Sequence, residues 1–141
     1  MTPAHAGCLC GDIRYVITGT PRATTYCHCG SCRRATGAPA VAWVVLRAAD
    51  LQLERGEPVA FRSSPHVERT FCGRCGTSLT YRRDDVPDSI DIHAATLDAP
   101  DAFPPTREIW LEQKLAWIVA NPALEPFPRS SKPSGGPTSS S

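Results

Sequence analysis

Gly7-Cys8-Leu9-Cys10-Gly11-Asp12-Ile13-Arg14-Tyr15-Val16-Ile17-Thr18 carries two signals side by side. Its second half alternates. Ile13, Tyr15 and Ile17 fall on one face of an extended chain, with Asp12, Arg14 and Thr18 on the other, the pattern of a strand buried on one side. Its first half sets two cysteines one residue apart between Gly7 and Gly11, which permit a distorted turn.

Similar segments recur along the chain, broken by Gly and Pro. Residues 41–46 form a continuous apolar run, short enough for a buried strand. Residues 51–54 and 59–62 flank Arg55-Gly56-Glu57-Pro58 and predict a hairpin. Residues 67–71 and 78–81 flank a second cysteine pair, and residues 89–95 alternate again. Residues 109–118, with Trp110, Leu111, Leu115 and Trp117, are expected to pack the closing segment on the core. No long amphipathic stretch with caps is present, so the expected fold is a single, mainly β domain of antiparallel sheets with short hairpins and little helix. That domain spans 1–128. Residues 129–141, rich in Ser, Pro and Gly and without apolar side chains, are expected to be a disordered tail.

The seven cysteines fall into three groups: Cys8 and Cys10; Cys27, Cys29 and Cys32; Cys72 and Cys75. An odd number disfavours a full set of disulfides. The segment from Met1 to Gly7 has no basic stretch leading into an apolar run, so a cytoplasmic, reducing setting is expected. Short intervals between cysteines let thiolates converge on one ion at a Zn–S distance of ~2.3 Å. Cys72-Gly73-Arg74-Cys75-Gly76 reads as a zinc knuckle, and with Cys8 and Cys10 it completes a closed Cys₄ site of the structural kind. Zinc binding energies of roughly 10–16 kcal/mol in small peptides show how strongly such a staple can act.

Cys27, Cys29 and Cys32 remain, three ligands where a fourth position stays open to water or substrate, the alternative being a second closed, structural site with His28 or another group as its fourth ligand. Three thiolates on Zn²⁺ leave a net negative site, which suits binding a thiol better than activating water. A thiol held there becomes a nucleophile for a small carbonyl electrophile. His28, between two of these cysteines, is expected to point away or to hydrogen-bond behind the ligands.

Four ordered motifs carry a family resemblance: Gly7 to Tyr15; Cys27-His28-Cys29-Gly30-Ser31-Cys32 running on to Pro39; Arg69-Thr70-Phe71-Cys72-Gly73-Arg74-Cys75-Gly76-Thr77; and Ala95 to Pro100. Together they resemble the glutathione-dependent formaldehyde-activating enzyme family, which also includes centromere protein V. The resemblance implies a zinc-bound β-tent fold similar to that of methionine-R-sulfoxide reductases. It implies two Zn²⁺ per chain, a structural one on Cys8, Cys10, Cys72 and Cys75 and a catalytic one on Cys27, Cys29 and Cys32. The activity it implies is that of a carbon–sulfur lyase joining glutathione, or another small thiol, to formaldehyde or another aldehyde. Arg33 and Arg34 are candidates for binding the glutathione carboxylates, because guanidinium groups grip carboxylates bidentately. Pro105-Thr106-Arg107-Glu108-Ile109-Trp110 departs from the family pattern, which often has histidines before the Ile-Trp pair.

Other readings stand beside this one. A non-enzymatic, zinc-stabilised module for protein or chromatin fits the Cys₄ site, and a redox dithiol fits the two Cys-x-x-Cys intervals. A formal charge of +1 gives no broad field for polyanions, so neither nucleic acid nor membrane is an expected partner. Arg69, Arg74, Arg82 and Arg83 are the one local concentration of positive charge that bears on nucleic acid. Ser31 and Thr36 are candidate hydrogen-bond donors near the open site, and Asp98 is expected to cap a turn.

Overall fold

The alternation that opens the chain becomes strand pairing. A computed structural model describes residues 2–131. Its strands are β1 (Ala4–Gly7), β2 (Arg14–Ile17), β3 (Ala23–Cys27), β4 (Val41–Arg47), β5 (Leu51–Arg55), β6 (Val59–Ser64), β7 (Val67–Phe71), β8 (Ser78–Arg83), β9 (Ser89–His93), β10 (Arg107–Ile109) and β11 (Glu125–Pro126). One short α-helix, α1 (Gly30–Thr36), follows β3. The protein is mainly β and a single domain, as the alternation predicts.

The strands form two sheets, a small one in the order β1-β2-β5 and a large one in the order β11-β10-β3-β4-β9-β8-β7-β6. Ile13, Tyr15 and Ile17 are buried on the inner side of the small sheet, where they meet Val44, Leu46, Leu79 and Ile92 of the large one. The continuous apolar run of β4 has the reason a run without alternation usually has: both of its faces are covered. Val44 and Leu46 join the core between the sheets, while Val41 and Trp43 face a second cluster with Trp110, Cys27, Cys29 and Cys32.

Four expectations are corrected in the fold. The hairpin across residues 55–58 does not form: β5 pairs with β2, and β6 pairs with β7 in the other sheet. Gly56, at φ 82°, presses so close to Asp12 that a Cβ there would lie 2.2 Å from the Asp12 carbonyl oxygen. The segment thus crosses between sheets instead of folding back. The closing segment packs only in part. Trp110 is buried, but Trp117 is 71% exposed, beyond a 3-10 turn over Leu111–Gln113. Nor is the large sheet wholly antiparallel, since β10 runs parallel to both β3 and β11.

The Trp110 N–H donates to the Arg129 carbonyl oxygen at 3.0 Å, so the first residue of the expected tail contacts the domain. Residues 132–141 of that tail lie outside the described residues. Asp98 does not cap a turn. It accepts two hydrogen bonds from the Arg14 guanidinium, at 3.1 and 2.5 Å, and ties β2 to the loop after β9.

Leu79 is wholly buried between the sheets, whereas Phe61 on the edge strand is 62% exposed. Leu79→Ala is expected to cost about 2–5 kcal/mol of unfolding free energy. Phe61→Ala should stay within about 0.5 kcal/mol, with urea denaturation as the check.

Candidate functional site

Two sulfur clusters sit on opposite sides of β4. The first joins Cys8 and Cys10, after β1, to Cys72 and Cys75, after β7, with all four sulfurs within 4.8 Å of one another. Both turns close in the same way. Gly11 (φ 83°) and Gly76 (φ 81°) take the left-handed conformation that suits glycine, and their N–H groups bond back to the Cys8 and Cys72 carbonyl oxygens. Backbone N–H groups of Ile13 and Cys75 donate to the sulfurs of Cys8 (3.3 Å) and Cys72 (3.5 Å). The Thr77 hydroxyl lies 3.2 Å from the Cys75 sulfur and, with the neighbouring backbone, draws that thiol down to about 5. Four soft donors converging with N–H groups aimed at them suit a tetrahedral zinc site.

The second cluster holds Cys27 at the end of β3, Cys29 as the N-cap of α1, and Cys32 within the helix. All three are buried. Their sulfurs lie within 4.8 Å of one another, and the Cys32 N–H caps onto the Cys29 sulfur at 3.2 Å. Crowding divides the charge unevenly. Hydrogen bonds from Cys27 and Cys29 pull Cys32 well below the usual thiol range against its burial, with Arg69 assisting. The same contacts hold Cys27 well above the usual thiol range, and Cys29 is raised to about 11. A divalent cation is what would let three such sulfurs be thiolates together, so this donor set also fits a metal.

The surroundings hold polar groups beyond the cysteines. His28 points away from the sulfurs and donates through Nε2 to buried Glu108 at 2.6 Å, and the other Glu108 oxygen accepts the Asn121 N–H. Glu108 lies on β10, wholly buried. Gly30, the first residue of α1, donates its N–H to Gln113 Oε1 at 2.7 Å. Trp110 (φ 57°) is left-handed without being glycine, a conformation costing of order 1–3 kcal/mol that surrounding contacts hold in place. His93 stacks on Trp43 at 4.0 Å and shares a 2.8 Å hydrogen bond with Ser78 Oγ; burial lowers its pKa to about 4.

Arg33 is half-buried on α1, and Arg34 is exposed beside it. Thr36 donates to the Cys32 carbonyl oxygen and accepts from the Ala38 N–H, so it finishes the helix locally. The four arginines of the expected basic concentration do not form one exposed patch. Arg69 is buried beside Cys32, while Arg74 pairs with Asp12 and Arg83 with Asp85. The alternation of β7 could have signalled this, since Arg69 shares the face of Val67.

Residues 3–113 match the family model described as glutathione-dependent formaldehyde-activating enzyme. A Halomonas elongata protein that carries this description as a provisional name is 28% identical over 124 residues, covering 81% of this chain and 78% of the relative. The crystal structure of a Rhodobacter sphaeroides protein is similar with a TM-score of 0.56 at 20% identity, over 87% of this chain and 98% of that one. At that identity the likeness is one of fold.

Removing Glu108 leaves His28 buried without its partner. Glu108→Ala is expected to lower stability by about 3–5 kcal/mol in denaturant titrations. The His93 ring should stay neutral at pH 5.5, below the usual histidine midpoint, because burial disfavours its cation. Imidazole ¹⁵N shifts across a pH titration check this directly.

Proposed function

The chain belongs to the glutathione-dependent formaldehyde-activating enzyme family, and from that premise we propose that it is a zinc-dependent carbon–sulfur lyase of the S-(hydroxymethyl)glutathione synthase kind. The observation that carries the reading is the unequal pair of clusters, four sulfurs in one and three in the other. The four-sulfur group, Cys8, Cys10, Cys72 and Cys75, is the structural zinc site. The group of Cys27, Cys29 and Cys32 is the working one, with a coordination position left for the thiol. Zinc there supplies a Lewis acid that favours the ionised form of a bound thiol at neutral pH.

The chain's residues do the holding. The three cysteines would hold the metal at the start of α1, where the Gln113 side chain anchors the first helical N–H. Arg33 and Arg34, on the same helix, bind the glutathione carboxylates. The thiol gives up its proton, its sulfur forms a bond to the aldehyde carbon, and the carbonyl electron pair moves onto oxygen, which takes a proton. The product is an S-hydroxymethyl thiol, and the same steps run backwards. All seven cysteines are free of disulfides, which suits a reducing, cytoplasmic setting where glutathione is the thiol.

Elemental analysis is expected to give two zinc ions per chain, and the protein should speed formation of S-(hydroxymethyl)glutathione above the spontaneous reaction. Cys29→Ser is expected to keep the fold, lose one zinc and lose at least ~100-fold in rate. Cys72→Ser should unfold the domain, because it opens the structural site. Equal unfolding by both variants, read by circular dichroism, would overturn the division of labour.

A further inference from the structure

Arg69 is 5% exposed, a charge placed inside the domain on β7. Its neighbours are a sulfur, a hydroxyl and a ring. Nη2 donates to Cys32 Sγ at 3.7 Å, Nε donates to Ser63 Oγ at 3.2 Å, and the guanidinium lies 5.0 Å from the centre of the Tyr81 ring. Nη1 is buried and has no hydrogen-bond partner. A buried N–H without an acceptor is costly, and it persists where something else gains from it. The guanidinium is a rigid planar fork, so with Nη2 on the Cys32 sulfur, Nη1 lies no farther from that sulfur than the width of the fork allows.

We propose that Arg69 is the oxyanion-binding residue of the three-cysteine site, taking on Nη1 a negatively charged oxygen of a ligand whose sulfur is bound by that site. The inference rests on the thiol-binding reading above and adds the second point of attachment. In the addition reaction, the oxygen that becomes negative is one carbon away from the attacking sulfur. Nη1 is the donor that meets it there, while Nη2 stabilises Cys32 as a thiolate. Three thiolates, a divalent ion and an incoming thiolate sum to two negative charges in a buried place, and the permanent cation of Arg69 offsets one of them. Lysine would supply the charge without the fork, and a neutral residue would supply neither.

The test uses the protein with cobalt in place of zinc, whose thiolate-to-metal absorption reports the sulfur bound at the site. Two thiols are titrated, thioglycolate, whose negative oxygen lies close to its sulfur, and ethanethiol, which has no oxygen. The unsubstituted protein is expected to prefer thioglycolate by about tenfold or more, the size of one charge-assisted hydrogen bond. Arg69→Met is expected to abolish the preference while still binding ethanethiol and retaining both metals. Arg69→Lys, which keeps the buried charge, carries the comparison if the methionine variant does not fold, with the preference expected to fall at least threefold.

A preference that survives these substitutions, or loss of the second metal in both variants, overturns the assignment. So does equal affinity of the unsubstituted protein for the two thiols, which leaves the thiol-binding reading standing. Absence of any spectral response to either thiol in the unsubstituted protein overturns that reading, and this assignment with it.

Discussion

Val41 and Trp43 on one face of β4, and Val44 and Leu46 on the other, must be kept from water at the same time. A strand with no polar face cannot sit at the surface of a two-layer fold, so it lies inside the large sheet between β3 and β9. The small sheet covers one side and supplies Ala6, Tyr15 and Ile17 to the core there. The other side is covered by less ordinary material: the sulfurs of Cys27, Cys29 and Cys32, the Trp110 indole and the flank of Tyr81. The strand thereby separates the core between the sheets from the three-cysteine cluster.

A sulfur cluster set against a buried strand brings charged side chains into a low-dielectric setting. The domain answers with partners held by rigid elements. Glu108 on β10 meets His28 beside the cysteines, and its second oxygen fixes the Asn121 backbone. Arg69 on β7 meets Cys32 across the sheet, its guanidinium set against an aromatic ring. These contacts bring β7 and β10, far apart in the chain, to the segment that links β3 and α1 around one sulfur cluster. Interactions of this kind do not raise net stability much, but removing one partner strands the other without compensation. The first sulfur cluster has a different logic. It lies at the rim where two strand ends meet, and two glycine-closed turns bring its donors together.

Family membership and fold likeness speak to different parts of this arrangement. The matched region, residues 3–113, contains both sulfur clusters, α1, Arg69 and Gln113. The parallel strand β11 falls beyond it. The structural neighbour shares the architecture at an identity too low to carry chemistry, so substrate choice has to be argued from the side chains around Cys32.

Much was legible in the sequence because it is local. Alternation over residues 12–18 marked one buried face, and the structure buries Ile13, Tyr15 and Ile17 there. An apolar run without alternation marked a strand covered twice. Cysteine spacing divided seven thiols into a group of four and a group of three, because turns of two or three residues can aim only certain sulfurs at one point. Partners were not legible, since alternation says that a segment is a strand and not which strand it joins. The segments on either side of Gly56 therefore resembled a hairpin, although they belong to different sheets. Glu108 and Gln113 were likewise invisible as members of the site, and for Arg69 the alternation of β7 signalled a buried face but not the sulfur it meets. A charged residue's burial depends on what the sheet brings opposite it, and here those groups come from 37 to 83 positions away along the chain. Local pattern suffices for the strand-rich fold and the grouping of the thiols, whereas the polar groups around them are set by strand partners distant in the chain, whose register no local pattern encodes.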